Sequence, residues 1–314
     1  MLLDLIFFIL TSSILIASAT FLIISLNKIA HFLRISKFTS AFIIMAFATS
    51  APELFIGISS GLSKTPELSL GNILGSCIIH FTLLAGLFIL LGRGIKINNG
   101  KIGKDIYFVL FSILLLIILF LIGNSLSRID GVILLSFFSL SYYRIFKKSK
   151  KYKAKLKKRT LKKSEIIIYS FTFIISLGIL FVSSYYIVKF ASAIAIDLKI
   201  SNIIVGMFLL SLSTNLPELA FGFKAVKMGY KEMALGDLTG GTLTNIGLVI
   251  GIVSLISPIT APLNSFIVAS IFLFVSAFIF ITFMKSESEF KKIEGVSLIL
   301  LYSLFMIIEF FIRG

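Results

Sequence analysis

Long apolar stretches alternate along the chain with short segments that carry charged or turn-forming residues. A helix needs about 20 predominantly apolar residues to cross the hydrocarbon core of a bilayer. Ten such stretches lie at residues 2–26, 38–61, 68–92, 105–123, 129–146, 164–188, 200–223, 232–256, 262–284 and 295–312. The runs are continuous, which favours helices over the alternating strands of a membrane barrel. The pattern predicts an all-α membrane protein with ten transmembrane helices.

The composition excludes an ordinary soluble protein. Of the 314 residues, 58% are hydrophobic and only 14% are charged, whereas soluble domains are about one quarter charged. One cysteine and two widely separated histidines give no disulfide or zinc pattern, and we expect no cofactor. The first apolar run is longer than the core of a signal peptide, so we expect no cleavable signal.

A repeat relates the two halves of the chain. Residues 49–57 read TSAPELFIG and residues 214–222 read TNLPELAFG, at an offset of 165. The same offset aligns further glycines and glutamates up to residue 86 with their counterparts. The copies begin helices two and seven, which are five helices apart, so the second copy enters the membrane from the opposite side. Inverted five-helix repeats are typical of secondary transporters, whose substrate site lies at the bilayer midplane.

The basic residues predict the orientation of the helices. Cytoplasmic loops of membrane proteins are rich in Lys and Arg. If residues 147–163 (KKSKKYKAKLKKRTLKK) are cytoplasmic, all but five of the 30 basic residues fall on the inner side. We therefore expect a multi-pass protein of the cell membrane with both termini outside. This linker separates a first repeat at residues 1–146 from a second at 164–314. We interpret it as a topology anchor, with binding to anionic lipid as the alternative.

Each copy places a proline and a glutamate inside an apolar span, as Pro52-Glu53 and Pro217-Glu218. Proline removes a backbone donor, so helices two and seven should be broken there. A glutamate near the bilayer centre is costly unless it is compensated, and no Lys or Arg lies at a matching depth. Two such carboxylates favour a site for hard cations such as Ca²⁺ or Na⁺. The alternative is that both glutamates are protonated structural groups.

Helices three and eight add further polar side chains inside apolar spans. The offset of 165 pairs Asn72 with Asp237 and His80 with Asn245. We expect all four to face the glutamates. For Asp237 the functional interpretation is favoured, whereas His80 is equally consistent with a hydrogen-bonded core histidine.

The motifs TSAPE with GNILGS, and TNLPE with GDLTGG, resemble the paired alpha-repeats of the sodium/calcium exchangers, in the cation/Ca²⁺ antiporter superfamily, and the prokaryotic type in particular. The resemblance implies ten helices, termini outside, and a central site that exchanges Ca²⁺ for Na⁺ or H⁺ without enzymatic chemistry. By position, it implies that Glu53 and Glu218 bind the metal together with the carbonyls of Thr49 and Thr214. It places sodium at Ala46, Thr49, Ser50, Ser76, Ser211, Thr214 and Asn215.

Several residues depart from the pattern of that family. Asn215 replaces a serine, Gly241 and Thr242 replace Ser-Asn, and Asn245 replaces an aspartate. His80 and Asp237 each stand where the pattern has asparagine. These departures leave the transported ion and the stoichiometry open.

Other functions remain as alternatives to a Ca²⁺ antiporter that works by alternating access. A Na⁺/H⁺ or other monovalent-cation exchanger is suggested by His80 and by the acid missing at Asn245. The segment Leu235-Gly236-Asp237 is a remote indication of an intramembrane aspartyl protease, but a second intramembrane aspartate for the catalytic dyad is missing. A passive channel fits a two-carboxylate site between inverted repeats less well. The sequence indicates the transported cations and the bilayer as partners and gives no indication of nucleic acid binding or of a protein partner.

The predicted orientation is testable by cysteine labelling in a background in which Cys77 is replaced by alanine. Ser149→Cys should react with a membrane-impermeant maleimide only from the cytoplasmic side, and Ser125→Cys only from outside, because the basic linker stays in the cytoplasm. Labelling is measured on intact cells and on inverted vesicles. The reverse pattern would contradict the orientation.

Overall fold

The structure, a computed structural model, describes residues 2–32, 49–96, 106–149, 163–286 and 289–311. Within these residues ten helices follow one another: α1 Leu2–Phe32, α2 Ala51–Leu62, α3 Pro66–Leu91, α4 Ile106–Gly123, α5 Arg128–Ser149, α6 Lys163–Leu198, α7 Asn202–Lys227, α8 Lys231–Ile256, α9 Leu263–Ser286 and α10 Lys292–Phe311. Seven of the ten are long and apolar enough, by length and composition, to cross a membrane. The protein is therefore an all-α, multi-pass membrane protein.

The described parts of the helices lie where the apolar pattern predicted them, except that α1, predicted to end at residue 26, continues to Phe32, and that α6 is also longer than predicted. The sixth span was predicted to end at residue 188, but α6 continues to Leu198 and has 36 residues, about 54 Å at 1.5 Å per residue. Lys189 does not end the helix, because a lysine at a helix surface extends its ammonium group toward water. The first half of the second predicted span lies outside the described residues.

Four short strands, which the sequence did not predict, connect the two halves. They are β1 Ile95–Lys96, β2 Ser125–Leu126, β3 Ile259–Thr260 and β4 Glu289–Phe290. Strand β1 pairs with β4, and β2 pairs with β3, both antiparallel. Each pair joins a segment of the first half to a segment of the second, so the strands tie the halves together at two places.

The internal repeat of the sequence is also present in the helices. Helix α3 contains a π-helical turn at His80–Leu84, and α8 contains one at Asn245–Val249, at the offset of 165. Immediately before α2, Ser50 has φ −79° and ψ 4°, and its counterpart Asn215 in α7 has φ −79° and ψ −7°. The chain therefore builds the same local structure twice, as the aligned motifs predict.

The interruption of α7 is smaller than a broken helix. Only Asn215 leaves helical structure between Thr214 and Leu216. The Asn215 amide still donates to the Ser211 carbonyl at 3.1 Å, and the Leu219 amide donates to the Asn215 carbonyl at 2.9 Å. Pro217 is the second residue of the helical segment Leu216–Lys227 that follows Asn215. A missing N–H is tolerated at this position, because the first N–H groups of a helix have no partner within it. The proline therefore causes a one-residue interruption.

Glycines let α3 and α7 approach at backbone distance. A Cβ atom at Gly71 would lie 2.0 Å from the Ile203 carbonyl oxygen, and one at Gly75 would lie 2.2 Å from the Met207 carbonyl oxygen. From α7, a Cβ atom at Gly206 would lie 2.2 Å from the Leu68 carbonyl oxygen. Small residues at such a contact are how membrane helices pack closely. The contact matters because both helices carry polar residues of the site described below.

The close approach predicts that Gly71→Ala destabilises the protein. The added methyl group meets a backbone oxygen that moves only with the helix, and overpacking of this kind costs about 1–3 kcal/mol or more. The matched control is Gly178→Ala, since a Cβ atom there meets nothing within 4 Å. Thermal denaturation in detergent, followed by size-exclusion chromatography, should show a lower midpoint for Gly71→Ala only. Equal midpoints for the two variants would contradict the packing argument.

Candidate functional site

Two glutamates occupy equivalent positions in α2 and α7, each directly after a proline in the first turn of a helical segment. The Glu53 side chain is fully buried and that of Glu218 is 2% exposed. A Cβ atom at Gly241 would lie 3.7 Å from Glu218 Oε1 and 3.8 Å from Ser50 Oγ, three residues before Glu53, so the α2 and α7 segments that carry the two acids meet here. Within the described residues, the only basic side chain within 4 Å of either one is His80. The protein therefore buries two acids next to each other without a lysine or arginine partner.

Two hydroxyl bonds cross between the halves in the same way. The Thr214 hydroxyl on α7 lies 3.3 Å from Asn72 Oδ1 on α3 and 3.3 Å from the Ser211 carbonyl of its own helix, so these two acceptors share its one hydrogen. The Thr49 hydroxyl donates to Asp237 Oδ1 on α8 at 3.3 Å. Thr49 and Thr214 are counterparts at the offset of 165, as are Asn72 and Asp237. The acceptors in the opposite half differ chemically, because that of Asp237 is a carboxylate and that of Asn72 is an amide.

Asn215 holds the α7 side of the site. Its Nδ2 donates to Ser76 Oγ at 2.9 Å and to the Ser211 carbonyl at 2.7 Å. Ser76 Oγ also lies 3.4 Å from the Thr214 hydroxyl. The Ser211 hydroxyl donates to the Met207 carbonyl of its own helix. Because both donor hydrogens of the Asn215 amide are used, its Oδ1 oxygen faces the site as an acceptor.

His80 lies on the other side, at the start of the π turn of α3. Its ring is fully buried. Nδ1 lies 3.0 Å from Thr242 Oγ1, and Nε2 lies 3.5 Å from Glu218 Oε2. A Cβ atom at Gly241 would lie 3.3 Å from His80 Cε1 and 3.7 Å from Glu218 Oε1. The glycine therefore leaves the space that the imidazole occupies.

Several buried polar atoms of the site have no hydrogen-bond partner among the described residues. They are Ser50 Oγ, both oxygens of Glu53, Asn215 Oδ1, Glu218 Oε2 and both amide atoms of Asn245. Unpaired buried polar atoms are rare and costly, and most of these are oxygens that accept. The described residues contain no group of three or more His, Cys, Asp and Glu arranged for a metal. A cation held here would therefore need amide, hydroxyl or carbonyl oxygens besides the carboxylates.

Comparison with known proteins identifies the family. The family described as "Sodium/calcium exchanger protein" matches residues 3–147 and 168–311. The chain belongs to the sodium/calcium exchanger family. It is a secondary transporter of cations and not an enzyme, as the motifs predicted.

Individual relatives agree with this assignment. The sodium/calcium exchanger MaX1 of Methanosarcina acetivorans is 25% identical, over 95% of this chain and 96% of its own length. The putative antiporter CaxA of Alkalimonas amylolytica is 28% identical, over 78% of each chain. Solved structures of the sodium-calcium exchanger NCX_Mj superpose with a TM-score of 0.64 at 25% identity, covering 96% of this chain and 97% of theirs.

Most of the site residues that the sequence predicted are buried in the interior of the exchanger. Those that the structure describes lie on α2, α3, α7 and α8, or at residues 49–50 just before α2. Contacts link Thr49 to Asp237 and Thr214 to Asn72, while Ser76 bonds to Asn215 and His80 approaches Glu218. Asn245 is fully buried in the π turn of α8. Ala46 lies outside the described residues.

Two contacts of the exchanger were not predicted from its sequence. Thr242 bonds to the imidazole of His80, although the sequence marked it only as a departure from the family. Asn202 Nδ2 donates to Glu67 Oε1 at 2.6 Å, joining α7 to α3 beside a surface pocket of about 710 Å³. A hydroxyl group within an apolar helix predicts that some polar group lies nearby. Which residue of another helix that group belongs to depends on how the helices pack, and the sequence does not give this.

Asp237 provides a test of the crossed bonds. Asp237→Asn keeps an acceptor for the Thr49 hydroxyl and removes only the charge. We expect Ca²⁺ affinity, measured by titration calorimetry in detergent, to fall about tenfold, or about 1.4 kcal/mol. The control is Thr239→Val, since among the described residues the Thr239 hydroxyl bonds only to the Gly236 carbonyl of its own helix. Unchanged affinity in Asp237→Asn would make this acid a structural group.

Proposed function

We propose that this exchanger moves Ca²⁺ against Na⁺, with H⁺ as an alternative driving ion, through one central site at Glu53 and Glu218. The observation that carries the proposal is a pair of buried carboxylates in which both Glu53 oxygens and Glu218 Oε2 have no hydrogen-bond partner among the described residues. Unpaired carboxylates inside a membrane protein require a compensating cation or a proton. The exchanger family and the similarity to NCX_Mj support Na⁺ and Ca²⁺ as these cations.

The coupling of the two ions follows from charge balance. Two carboxylates neutralise one Ca²⁺, two Na⁺ or two protons, so the ions compete for the same negative charges. A protein that changes conformation only when these charges are neutralised exchanges one kind of ion for another. Metal binding is assigned to Glu53, Glu218 and the carbonyls of Thr49 and Thr214, because oxygen ligands of this kind suit Ca²⁺.

Residues around the central pair form the sodium positions in this proposal. Hydroxyl and amide oxygens are hard ligands that suit Na⁺ as well. The unpartnered atoms of Ser50 and Asn215 and the burial of their neighbours support this assignment. The sodium positions are Ala46, Ser50, Ser76, Ser211 and Asn215 together with Thr49 and Thr214, and the adjoining residues Asn72, His80, Asp237 and Asn245 complete the cation-binding set.

The proposed architecture is two inverted five-helix repeats, at residues 1–146 and 164–314, that cross the membrane ten times. Matched π turns at an offset of 165 and two antiparallel strand pairs that join the halves support it. In this proposal the basic linker at 147–163 is cytoplasmic, as the distribution of Lys and Arg favours, and both termini therefore lie outside. Alternating access would then be a movement of one group of helices against the other around the fixed site.

A monovalent-cation exchanger, for example of Na⁺ and H⁺, is the second candidate. Asn245 is an amide where the family pattern has a carboxylate, and fewer negative charges weaken the binding of a divalent ion more than that of a monovalent one. In reconstituted vesicles this candidate predicts ²²Na⁺ uptake driven by a pH gradient and no ⁴⁵Ca²⁺ uptake. The primary proposal predicts ⁴⁵Ca²⁺ uptake driven by a Na⁺ or H⁺ gradient.

The central experiment replaces each glutamate in proteoliposomes. Glu53→Gln or Glu218→Gln should lower ⁴⁵Ca²⁺ exchange at least about 100-fold, because loss of half the compensating charge at a buried site costs several kcal/mol. Glu165→Gln is the control, since Glu165 is exposed at the start of α6. Size-exclusion profiles establish that each variant is folded. Wild-type rates in both folded variants would refute the central site.

A further inference from the structure

His80 is the feature that the proposed Ca²⁺ site does not explain. Calcium and sodium sites in proteins are built from oxygen atoms. Here a fully buried imidazole lies 3.5 Å from Glu218 Oε2, one of the two carboxylates at the centre. Whether the ring offers Glu218 a hydrogen or a lone pair depends on which of its two nitrogens carries the hydrogen.

The hydrogen bonds around Nδ1 assign that hydrogen. The Thr242 hydroxyl donates its one hydrogen to the Leu238 carbonyl at 2.9 Å. At the Nδ1–Thr242 contact of 3.0 Å, the hydroxyl oxygen is therefore the acceptor and Nδ1 is the donor. A neutral His80 thus carries its hydrogen on Nδ1 and a lone pair on Nε2.

Nε2 then faces only acceptors. Glu218 Oε2 lies 3.5 Å from Nε2, and the Asn215 oxygen on α7 can only accept, because Nδ2 of the same amide is occupied by Ser76 and the Ser211 carbonyl. Nε2, Glu218 Oε2 and Asn215 Oδ1 have no hydrogen-bond partner among the described residues. A lone pair on Nε2 that faces an unpartnered carboxylate oxygen 3.5 Å away is an arrangement that a metal ion stabilises.

The spacing suits one ion shared by nitrogen and carboxylate. With metal–ligand distances near 2.1 Å and a tetrahedral angle, two ligands lie about 3.4 Å apart. The Nε2–Oε2 separation of 3.5 Å matches this value without movement of either side chain. The glycine at 241 leaves room for the ring beside the carboxylate, since a Cβ atom there would contact both groups.

We propose that His80 Nε2 is a nitrogen ligand of the transported ion, and that this exchanger carries first-row divalent transition-metal ions such as Zn²⁺ or Mn²⁺ in preference to Ca²⁺. Imidazole nitrogen binds these ions far better than it binds Ca²⁺. The inference rests on the proposed exchange at Glu53 and Glu218 and names the class of substrate for that site. Thr242 is the positioning residue, because its hydroxyl fixes the tautomer and the orientation of the ring.

The transport test measures selectivity. In proteoliposomes, Zn²⁺ competes against ⁴⁵Ca²⁺ uptake, and the ratio of the two apparent affinities is compared between wild type and His80→Asn. We expect this ratio to fall at least about tenfold in His80→Asn, because only the wild type offers a nitrogen ligand. Equal ratios in the two proteins would overturn the proposal.

A second pair of variants tests the tautomer without removing the ligand. Thr242→Val removes the acceptor of the Nδ1 hydrogen and should lower the Zn²⁺-to-Ca²⁺ ratio about tenfold, as loss of an outer-shell partner does. Thr239→Val is its matched control one helical turn away on α8 and should leave the ratio unchanged. If the two valine variants behave alike, Thr242 does not position the ring.

Binding spectroscopy separates this inference from the proposed function. Electron spin-echo measurements on Mn²⁺ added to the detergent-solubilised full chain should show coupling to ¹⁴N in wild type and none in His80→Asn. This measurement needs no transport. Exchange of ⁴⁵Ca²⁺ without ¹⁴N coupling would mean that His80 is protonated on both nitrogens or accepts a proton from Glu218, and would overturn only the inference. Coupling without exchange of either ion would overturn the proposed function and leave the ligand assignment standing.

Discussion

The structure depends on the cost of placing two carboxylates in an apolar interior. Glu53 and Glu218 are buried among helices whose other faces are almost entirely hydrocarbon. A charged carboxylate in such a place is stable only with a compensating charge, and a fixed lysine or arginine would provide that charge permanently. Because the described residues offer neither within 4 Å, the compensation comes from a proton or, in the proposed function, from a cation that enters and leaves. In that proposal the requirement for charge balance becomes a requirement for transport.

The repeated helices bring the two acids together. Helices α3 and α7 approach at backbone distance through Gly71, Gly75 and Gly206. This approach places Asn72 and Ser76 next to Thr214 and Asn215. On the other side, Thr49 reaches Asp237 through the equivalent bond. Each half thus completes the polar environment of the other, so neither half would hold a cation by itself.

Most of the fold could be predicted from the sequence because bilayer thickness sets the length of each apolar run. Among the described residues, the helices begin and end close to the predicted positions, except at the ends of α1 and α6. The extension of α6 to Leu198 could not be predicted in this way. Lys189 marked the end of the apolar run, but a lysine can extend its ammonium group along the helix surface to water, so the helix continues past it. The short strands have two residues each, too few for any periodic pattern.

The sequence predicted which residues lie near one another in the candidate site, but it did not predict which of them form hydrogen bonds with each other. The offset of 165 brought Thr49, Glu53 and Asp237 into one group with their counterparts. It did not give the partner of each side chain, because bonds in the site cross between helices of different halves. The contact from Thr242 to His80 shows why: its counterpart position holds Cys77, so the repeat contains no second copy of the bond.

Departures from the repeat make the two sides of the site chemically different. On one side, Asn215 uses its amide hydrogens on Ser76 and the Ser211 carbonyl. On the other, Ser50 and Gly241 stand at the equivalent positions of Asn215 and Ser76, and the imidazole of His80 fills the space beside the glycine. Two identical halves would give inward- and outward-facing states of equal energy. In the proposed site, an ion held beside His80 would interact with nitrogen, and one held away from it would interact only with oxygen. The kind of ion bound would then bias the conformational equilibrium, since a ligand shifts it only by its difference in affinity for the two states.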